Sequence, residues 1–409
     1  MRRALKLLGI AVLVLVLVAG GAAGYIAATG IPRYVPEKID LKVEVTPERV
    51  ARGRRSAQML CVACHLNHHT GKLSGRRMED LPPQFGVAVS ANITQDVETG
   101  IGGWTDGEIA YLLRTGVTRD GRYTPPWMVK LPNLADEDVK DIIAFLRSED
   151  PLVQPVKGKP APSQPSFFTK FLSRVAFKPL PWPARPIARP DPSDPVAVGR
   201  YLVNAHAQCF SCHSKDFAKN DDLHPERSEG YLGGGNPMPD MLGRTIVTSN
   251  LTFDAETGLG KWSEDDFVRA LRFGVRPDRS VLVYPMVPYP ELTDGEARAI
   301  FAYLRSAPHI ANAVARPAAQ QPTGGDAGRA AYYRYSCNAC HGDTGLGAFD
   351  LRAGARNHPA DEDLIAYIRH PEQFKPGVKM PTWDGVIAEE DYAPLAAYVR
   401  KLGVEPFRN

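Results

Sequence analysis

The chain begins with a long apolar segment. A basic N-terminus precedes an apolar run from about Leu7 to Ala28. A run of this length crosses a bilayer, which needs about 20 apolar residues, and the basic flank favours the cytoplasmic side. The pattern predicts a membrane helix over 1–30, with the rest of the chain exported. A cleaved signal peptide is the alternative, because small residues that suit a cleavage site lie near the end of the run.

Beyond this segment, a pattern of helices recurs three times. Each repeat opens with a short helix that carries a glycine and closes with an amphipathic helix whose first turn is acidic, as the helix dipole favours. The opening glycines are Gly53, Gly199 and Gly328, and the closing helices are predicted from Asp136 to Arg147, Asp294 to Arg305 and Glu389 to Arg400. We expect each glycine to let the aromatic residue of its closing helix pack closely against the opening helix.

Two segments lack this helical pattern. Segment 151–194 is rich in proline, which forbids a regular helix across it, so it should run extended over the surface as a semi-rigid spacer. Its middle, 167–172, is too apolar for a free linker, and we expect it to pack on a domain, on a partner or at the membrane surface. A second linker, 308–324, is shorter and rich in Ala, Pro and Gln.

Each repeat also contains the sequence Cys-x-x-Cys-His. The copies are Cys61 and Cys64 with His65, Cys209 and Cys212 with His213, and Cys337 and Cys340 with His341. This sequence is typical of c-type haem attachment, in which both thiols bond to one haem and the histidine ligates its iron. A thioredoxin-like redox pair, half a zinc site or a disulfide framework would explain one copy, but not a histidine in all three. The chain is therefore predicted to hold three covalently attached haem c groups.

Composition agrees with a folded protein built on these motifs. The 409 residues are 44% hydrophobic and 23% charged, which is ordinary for globular domains. A net charge of +3 is too small to suggest nucleic-acid binding. The predicted fold is all-α, with three tandem cytochrome c-like haem domains over 45–150, 195–307 and 325–405 after the N-terminal transmembrane helix.

The first two repeats align position by position after the haem motif. The matching pairs are Asn92 and Asn250, Thr99 and Thr257, Trp104 and Trp262, Gly116 and Gly274, and Met128 and Met286. Each methionine lies 24 residues after its tryptophan. Methionine is a common second axial ligand of haem c iron. Met128 and Met286 are therefore predicted as the distal ligands of the first two haems.

The third repeat has one methionine after its haem motif, Met380, in a loop before the closing helix. We predict that it is the third distal ligand. Competing methionines for the first two haems are Met78, Met238 and Met241. Ligation by two histidines is a further alternative, for which His68, His69 and His206 lie near the motifs. We expect those three histidines to be solvent-exposed and on the wrong side of the haem.

On these motifs, the first two repeats resemble the triheme cytochrome c subunit of membrane-bound alcohol and gluconate dehydrogenases. The third repeat, with 39 residues from His341 to Met380 against 63 and 73 in the others, resembles a small class I cytochrome c. The resemblance implies that Met128 and Met286 occupy the distal-ligand positions. It also implies a subunit that takes electrons from a quinoprotein or flavoprotein dehydrogenase and passes them to ubiquinone or to the next carrier.

The sequence therefore predicts an electron-transfer protein rather than an enzyme, in the bacterial inner membrane with its haem domains on the periplasmic side. It would relay electrons between a periplasmic dehydrogenase or the quinone pool and a downstream acceptor. An oxidase or a quinol-oxidising complex is the alternative partner. A haem enzyme of the dihaem peroxidase or sulfur-oxidising type is the alternative function, but it needs an open iron or a spare cysteine. A sensor would need a signalling domain, and no segment is left for one.

Overall fold

A computed structural model describes residues 2–78, 81–240, 244–315, 326–347 and 349–404. Up to residue 194, the regular structure of the described residues is mainly helical, with one short antiparallel strand pair. Its elements are α1 (Arg2–Thr29), α2 (Pro47–Leu60), α3 (Val62–His65), β1 (Gly86–Val87), α4 (Asp106–Thr115), α5 (Asp136–Leu146), β2 (Gln164–Pro165) and α6 (Phe167–Val175). Short 3₁₀ turns cover Pro83–Phe85 and Pro151–Val153.

The second repeat has the same order of helices with an added strand pair. Its elements are α7 (Pro195–Tyr201), a π-helical turn (Leu202–His206), α8 (Cys209–His213), β3 (Pro237–Pro239), β4 (Thr245–Val247), α9 (Glu264–Phe273) and α10 (Asp294–Ser306). Two 3₁₀ turns, Phe217–Lys219 and Pro225–Arg227, lie between α8 and β3. β3 and β4 pair antiparallel, with Met238 opposite Ile246.

Within its described residues, the third repeat has six helices joined by turns and loops. It contains α11 (Ala327–Arg334), α12 (Cys337–His341), α13 (Arg352–Asn357), α14 (Asp361–Arg369), α15 (Pro371–Phe374) and α16 (Glu389–Val404). The closing helices α5, α10 and α16 begin at Asp136, Asp294 and Glu389, as the acidic first turns predicted.

Each opening helix touches its closing helix through a glycine. A Cβ on Gly53 would overlap the carbonyl oxygen of Asp141 and lie 2.9 Å from the Cβ of Phe145. The same overlap recurs with the carbonyl oxygens of Ala299 at Gly199 and of Pro394 at Gly328, where the Cβ atoms of Tyr303 and Tyr398 come within 2.8 and 2.7 Å. The predicted close packing of glycine against an aromatic residue is therefore confirmed in all three repeats.

Buried hydrophobic side chains form three clusters, one around each of these helix pairs. The first cluster includes Val43 and Val153, which lie just outside the predicted domain 45–150. The third cluster includes Val275 and Val281, which come from the second repeat. The second and third repeats therefore share a hydrophobic core. The division into separate domains stays a prediction.

The proline-rich segment 151–194 runs largely exposed over the surface of the first repeat and packs against it, and so does its apolar middle in α6. The ring of Trp182 stacks on Tyr111 at a centroid distance of 6.0 Å. The backbone N–H of Leu180 donates to the carbonyl of Thr115 over 3.1 Å, and the carbonyl of Ile187 accepts from the N–H of Asp136 over 2.9 Å. Extended proline-containing backbone can pair with neighbouring backbone groups in this way, whereas α6 occupies a stretch without proline.

The second linker, 308–324, lies only partly within the described residues, since positions 316–325 are outside them. Its first part packs on the second repeat. The N–H of Ile310 donates to the Thr252 hydroxyl over 3.0 Å, and the Asn312 side chain donates to the carbonyl of Gly233 over 2.9 Å.

The N-terminal helix α1 stands apart from these clusters. It has 28 residues, is apolar enough to cross a membrane, and buries none of its residues against the rest of the chain. Length and composition alone do not distinguish a membrane anchor from a signal sequence.

Candidate haem sites

The histidine of each haem motif is held by one backbone carbonyl. The Nδ1 atom of His65 lies 2.8 Å from the carbonyl oxygen of Ala91, and that of His213 lies 2.8 Å from the carbonyl of Ser249. His341 makes the same contact with Phe349 over 3.0 Å. Since a carbonyl can only accept, Nδ1 carries the proton, and the lone pair of Nε2 is left for a metal.

Burial keeps these imidazoles neutral. Desolvation lowers the pKa of all three histidines below its ordinary value, although the carbonyl hydrogen bond opposes this effect. A neutral ring with a fixed tautomer is the form that ligates iron.

The cysteines of the motifs are partly buried. Desolvation raises the pKa of Cys61, Cys209 and Cys337 to about 12 and that of Cys212 and Cys340 to about 11. Uncharged thiols in an apolar pocket do not suit binding of a metal ion as thiolates. Among the described residues, no group of three or more His, Cys, Asp or Glu side chains could hold a metal ion by itself.

The Asn-x-Thr sequence explains how the first two carbonyls are positioned. Ala91 directly precedes Asn92, whose Oδ1 accepts from the N–H of Thr94 over 3.0 Å and from the Thr94 hydroxyl over 2.7 Å. The Asn92 amide donates to the Thr99 hydroxyl over 3.2 Å and to the carbonyl of Val156 over 3.0 Å. This buried network fixes the loop that orients His65.

The second repeat contains the same network. Asn250 follows Ser249 and accepts from the N–H and hydroxyl of Thr252 over 2.9 and 2.7 Å. Its amide donates to the Thr257 hydroxyl over 3.1 Å and to the carbonyl of Ile310 over 2.7 Å. The alignment of the first two repeats, made from the sequence alone, therefore extends to individual hydrogen bonds.

The methionine loops match as well. The N–H of Met128 donates to the carbonyl of Pro125, and that of Met286 to the carbonyl of Val283, both over 3.0 Å. Both loops follow a glycine with φ of 78° that ends the preceding helix, Gly116 or Gly274. Each loop therefore leaves its helix in the same way.

A partly buried lysine closes the first methionine loop. The Nζ of Lys130 donates to the carbonyls of Thr124 and Pro125 over 2.6 and 2.7 Å. Burial lowers the pKa of Lys130 to about 7. Met128 itself packs against the first cluster together with Cys61 and Trp104.

The second haem motif opens onto a cavity of about 410 Å³, within the range of small-molecule sites. Cys209, Cys212, His213 and Met286 all line it. Met238 lines the same cavity, so this competing methionine is also within the site. Met78 pairs through its backbone with Ala88, and Met241 lies outside the described residues.

The third motif opens onto a larger cavity, of about 760 Å³, lined by Cys337, Cys340, His341 and Met380. Arg54 and Gln58 of α2 and Arg272 of α9 also line it, although they belong to other repeats. Among the described residues, neither the Oε1 of Gln58 nor the Nε of Arg272 has a hydrogen-bond partner, although both atoms are buried.

These two cavities fit haem c. Each brings a pair of thiols, a neutral imidazole and a thioether to one apolar space, and the third adds the Arg272 Nε–H, which is unpartnered among the described residues and is a donor suited to a carboxylate. In both, Cys and His would hold the haem, with a methionine as the second axial ligand.

The nearby histidines differ from one another. His69 is exposed, as expected, whereas His68 is half-buried and its Nδ1 contacts the carbonyl of Leu346 in the third repeat. The expectation that His206 is exposed is wrong. It is only 5% exposed, and its Nε2 lies 3.0 Å from the hydroxyl of Ser56 in the first repeat. The reason is that the π-helical turn packs against α2, and sequence spacing within one repeat does not reveal this contact.

Family comparisons agree with this geometry. The family described as Cytochrome c matches residues 50–150, and the family described as Cytochrome C oxidase, cbb3-type, subunit III matches residues 324–399. The alcohol dehydrogenase (quinone) cytochrome c subunit of Gluconobacter oxydans is 28% identical over 382 residues, which cover 86% of this chain and 78% of that protein.

The gluconate 2-dehydrogenase cytochrome c subunit of Pantoea cypripedii is 30% identical over 371 residues, covering 83% of this chain and 82% of that protein. The chain belongs to the family of dehydrogenase cytochrome c subunits. The fructose dehydrogenase cytochrome subunit of Gluconobacter japonicus is 29% identical over 71% of this chain and 63% of that protein. A solved structure, the reducing HAO-like protein complex of Kuenenia stuttgartiensis, aligns with 65% of this chain and 99% of its own at 15% identity. The TM-score of 0.20 is too low for this alignment to bear on the fold.

This cytochrome c subunit is an electron-transfer protein rather than a catalytic subunit, because its relatives are the cytochrome subunits of dehydrogenases. Its cytochrome c domains imply covalently bound haem c. The alternative of a peroxidase or a sulfur-oxidising enzyme is not favoured.

Sequence reasoning missed the groups that each site borrows from elsewhere in the chain. The carbonyls of Ala91 and Ser249 could have been found, because they directly precede the Asn-x-Thr sequence. The contribution of Arg54 and Gln58 to the third cavity could not, because only the packing of one repeat on another creates it.

Proposed function

We propose that this chain is a membrane-anchored triheme c-type cytochrome that relays electrons from a dehydrogenase to the quinone pool or a further acceptor. The observation that carries the proposal is the repeated geometry of His65, His213 and His341, each with Nδ1 on a backbone carbonyl. Haem c would supply reversible one-electron chemistry at each position.

The residues proposed to hold the three groups come from the motifs and from the methionine loops. They are Cys61, Cys64, His65 and Met128 in the first repeat, Cys209, Cys212, His213 and Met286 in the second, and Cys337, Cys340, His341 and Met380 in the third. A thioether opposite an imidazole closes both faces of the iron and favours its reduced state. The chain would then pass charge without binding a substrate at the metal.

Contacts between the repeats support a relay. Leu282 lines both the second and the third cavity, so a single side chain forms part of the wall between them. Gln208, which lines the second cavity, donates to the carbonyl of Lys130 in the first methionine loop over 2.7 Å. The first loop is thus joined to the second cavity, and the second cavity to the third.

The partner and the location follow from the relatives and from the N-terminus. The relatives are named as subunits of alcohol, gluconate and fructose dehydrogenases, so the proposed electron donor is a dehydrogenase on the periplasmic side. One relative is named as a subunit of an alcohol dehydrogenase (quinone), so ubiquinone is the proposed electron acceptor. Helix α1 would hold the chain in the inner membrane.

The test is to isolate the full chain from native membranes under mild solubilisation and to follow its haem absorption spectrum. Adding ethanol, gluconate or fructose should reduce the haems rapidly if the matching dehydrogenase copurifies, and mass spectrometry of the sample should identify that dehydrogenase. Reduction with dithionite gives the absorption change that corresponds to complete reduction of the haems. The proposal fails if no dehydrogenase is present and none of the substrates reduces the haems above the rate of the buffer control.

A further inference from the structure

Helix α6, Phe167–Val175, exposes apolar side chains and buries polar ones, which is the reverse of a helix on the surface of a soluble domain. The two residues that it buries are polar, since Thr169 and Ser173 are both 0% exposed. Its large apolar side chains face outward, with Phe167 48%, Phe171 40% and Val175 59% exposed. These three residues are spaced four apart and share one helix face. Helices at an aqueous surface place their apolar face inward, so this face indicates an apolar surrounding.

The polar side of α6 is bonded to the first repeat, which fixes the direction of the apolar face. The Thr169 hydroxyl donates to the carbonyl of Phe85 over 2.7 Å, and the Ser166 hydroxyl donates to the carbonyl of Gln84 over 2.6 Å. The preceding strand β2 pairs with β1, which begins directly after Phe85. Rotating the helix to bury the phenylalanines would break these hydrogen bonds. The apolar face therefore stays exposed.

The other flank of α6 touches the end of the proposed membrane helix. The Nζ of Lys170 donates to the carbonyl of Ala27 over 3.3 Å. The guanidinium of Arg174 donates to the Thr29 hydroxyl over 2.6 Å and to the carbonyl of Gly30 over 2.9 Å. Its Cζ lies 5.1 Å from the ring centroid of Tyr25. The apolar face is therefore located where a bilayer-spanning α1 would leave the membrane.

We propose that α6 is a second membrane contact, an interfacial helix that inserts Phe167, Phe171 and Val175 into the outer leaflet of the phospholipid bilayer. This inference rests on the proposed membrane anchor. Interfacial helices lie in the membrane plane with their apolar face about 5–10 Å into the headgroup boundary. Lys170 and Arg174 bind the end of α1, so the interfacial helix and the anchor would be held together at the membrane surface.

The contact would place the first haem site close to the membrane. Phe168 of α6 packs on Phe85 with ring centroids 5.6 Å apart, and Phe85 packs on Trp127 with centroids 6.0 Å apart. Trp127 directly precedes Met128 in the first methionine loop. The bilayer surface, α6 and this loop would then be consecutive layers, and the first repeat would be the one nearest to a lipid-soluble electron acceptor.

The test replaces single residues of the full-length chain by photoreactive p-benzoylphenylalanine and irradiates the native membranes. The substituted positions are Phe171, Leu15 in α1 as the control for the anchor, and Phe217 in the second repeat as the matched exposed control at 49% exposure. Mass spectrometry identifies each adduct as phospholipid or protein. We expect phospholipid adducts at Phe171 and Leu15 and none at Phe217, with the complement of haems unchanged.

The results separate this inference from the anchor on which it rests. Phospholipid adducts at Leu15 without any at Phe171 would overturn the interfacial helix and leave the anchor standing. A protein adduct at Phe171 would also overturn it, and would make this face a docking surface for a dehydrogenase subunit. An absence of phospholipid adducts at Leu15 would contradict the anchor itself, whatever is found at Phe171. Equal lipid labelling at Phe171 and Phe217 would show labelling without a specific contact and would likewise reject the inference.

Discussion

The first two candidate haem sites and the third orient their histidines over different lengths of chain. The carbonyl that binds the motif histidine lies 26 residues after His65 and 36 after His213, but only 8 after His341. The two long loops need a buried Asn-x-Thr network to fix that carbonyl. In the third site, the Tyr332 hydroxyl instead donates to the carbonyl of Gly342, directly after the motif, over 2.6 Å.

The difference shows that a short loop can orient a histidine, although it does not supply the whole wall of a haem-sized cavity. The third cavity is about 760 Å³, against about 410 Å³ for the second, and residues of the other repeats complete its wall. Val275 and Val281 of the second repeat belong to the third hydrophobic cluster. The first two sites are therefore built largely from their own repeats, whereas the third depends on its neighbours.

The largest expected effect comes from the feature that all three sites share, the glycine between the opening and closing helices. Gly199→Ala should destabilise the second repeat by about 3 kcal/mol or more, because the added methyl overlaps the backbone of Ala299. Denaturant unfolding, monitored by haem absorption and far-UV circular dichroism, measures the loss. Gly295→Ala, in the closing helix that Gly199 contacts, is the control, since the nearest atom to its Cβ is 4.0 Å away. Equal stability of the two variants would contradict the close packing.

The next prediction separates the long loops from the short one. Asn250→Ala should destabilise the second repeat by about 1–3 kcal/mol, because several buried groups lose their hydrogen-bond partner. Asn92→Ala should do the same in the first repeat. Hydrogen exchange measured by mass spectrometry should show faster exchange in the loop around the substituted residue and no change over 337–349. A similar increase in the third repeat would show that the network is not local to its own site.

The sequence allowed accurate prediction of whatever is repeated and local. Helix starts at Asp136, Asp294 and Glu389 could be predicted because the preference of acidic residues for the first turn acts within that turn. The glycine contacts could be predicted because they recur. The burial of His206 and the stacking of Trp182 on Tyr111 could not, because both arise where distant segments meet. The second cavity also holds two candidate ligands, since both Met238 and Met286 line it.

A pair of substitutions resolves that last point. Met286→Ala should abolish the near-infrared absorption band that a methionine–iron bond gives for the second haem, and should lower its reduction potential. Met238→Ala should leave both unchanged. The reverse outcome would assign Met238 as the ligand. Persistence of the band in both variants would reject methionine ligation at this site.

The smallest expected effect lies at the contact between the first two repeats. Burial is the main cause that lowers the pKa of His206, with Arg55 acting in the same direction and Asp138 and Glu296 opposing it. The folded state therefore favours neutral His206, and its contribution to stability is complete above the unfolded pKa of about 6.5. That contribution is lost as the pH falls below this value, because protonation then favours unfolding.

His206→Gln should remove this dependence. Hydrogen exchange over 202–206 is expected to quicken between pH 7 and pH 5 in the unsubstituted chain and to vary much less in the variant, after correction for the intrinsic effect of pH on exchange. The same pH profile in both proteins would show that another group controls the contact.

The central claim is that His65, His213 and His341 each hold a separate haem. The most direct measurement is the intact mass of the full-length holoprotein, alongside variants in which one cysteine pair is replaced by serine, such as Cys209→Ser with Cys212→Ser. The account predicts a mass increase of three haems for the unsubstituted chain and of two for each of the three pair variants. An unsubstituted chain with fewer than three haems, or a pair variant that keeps all of them, would contradict it.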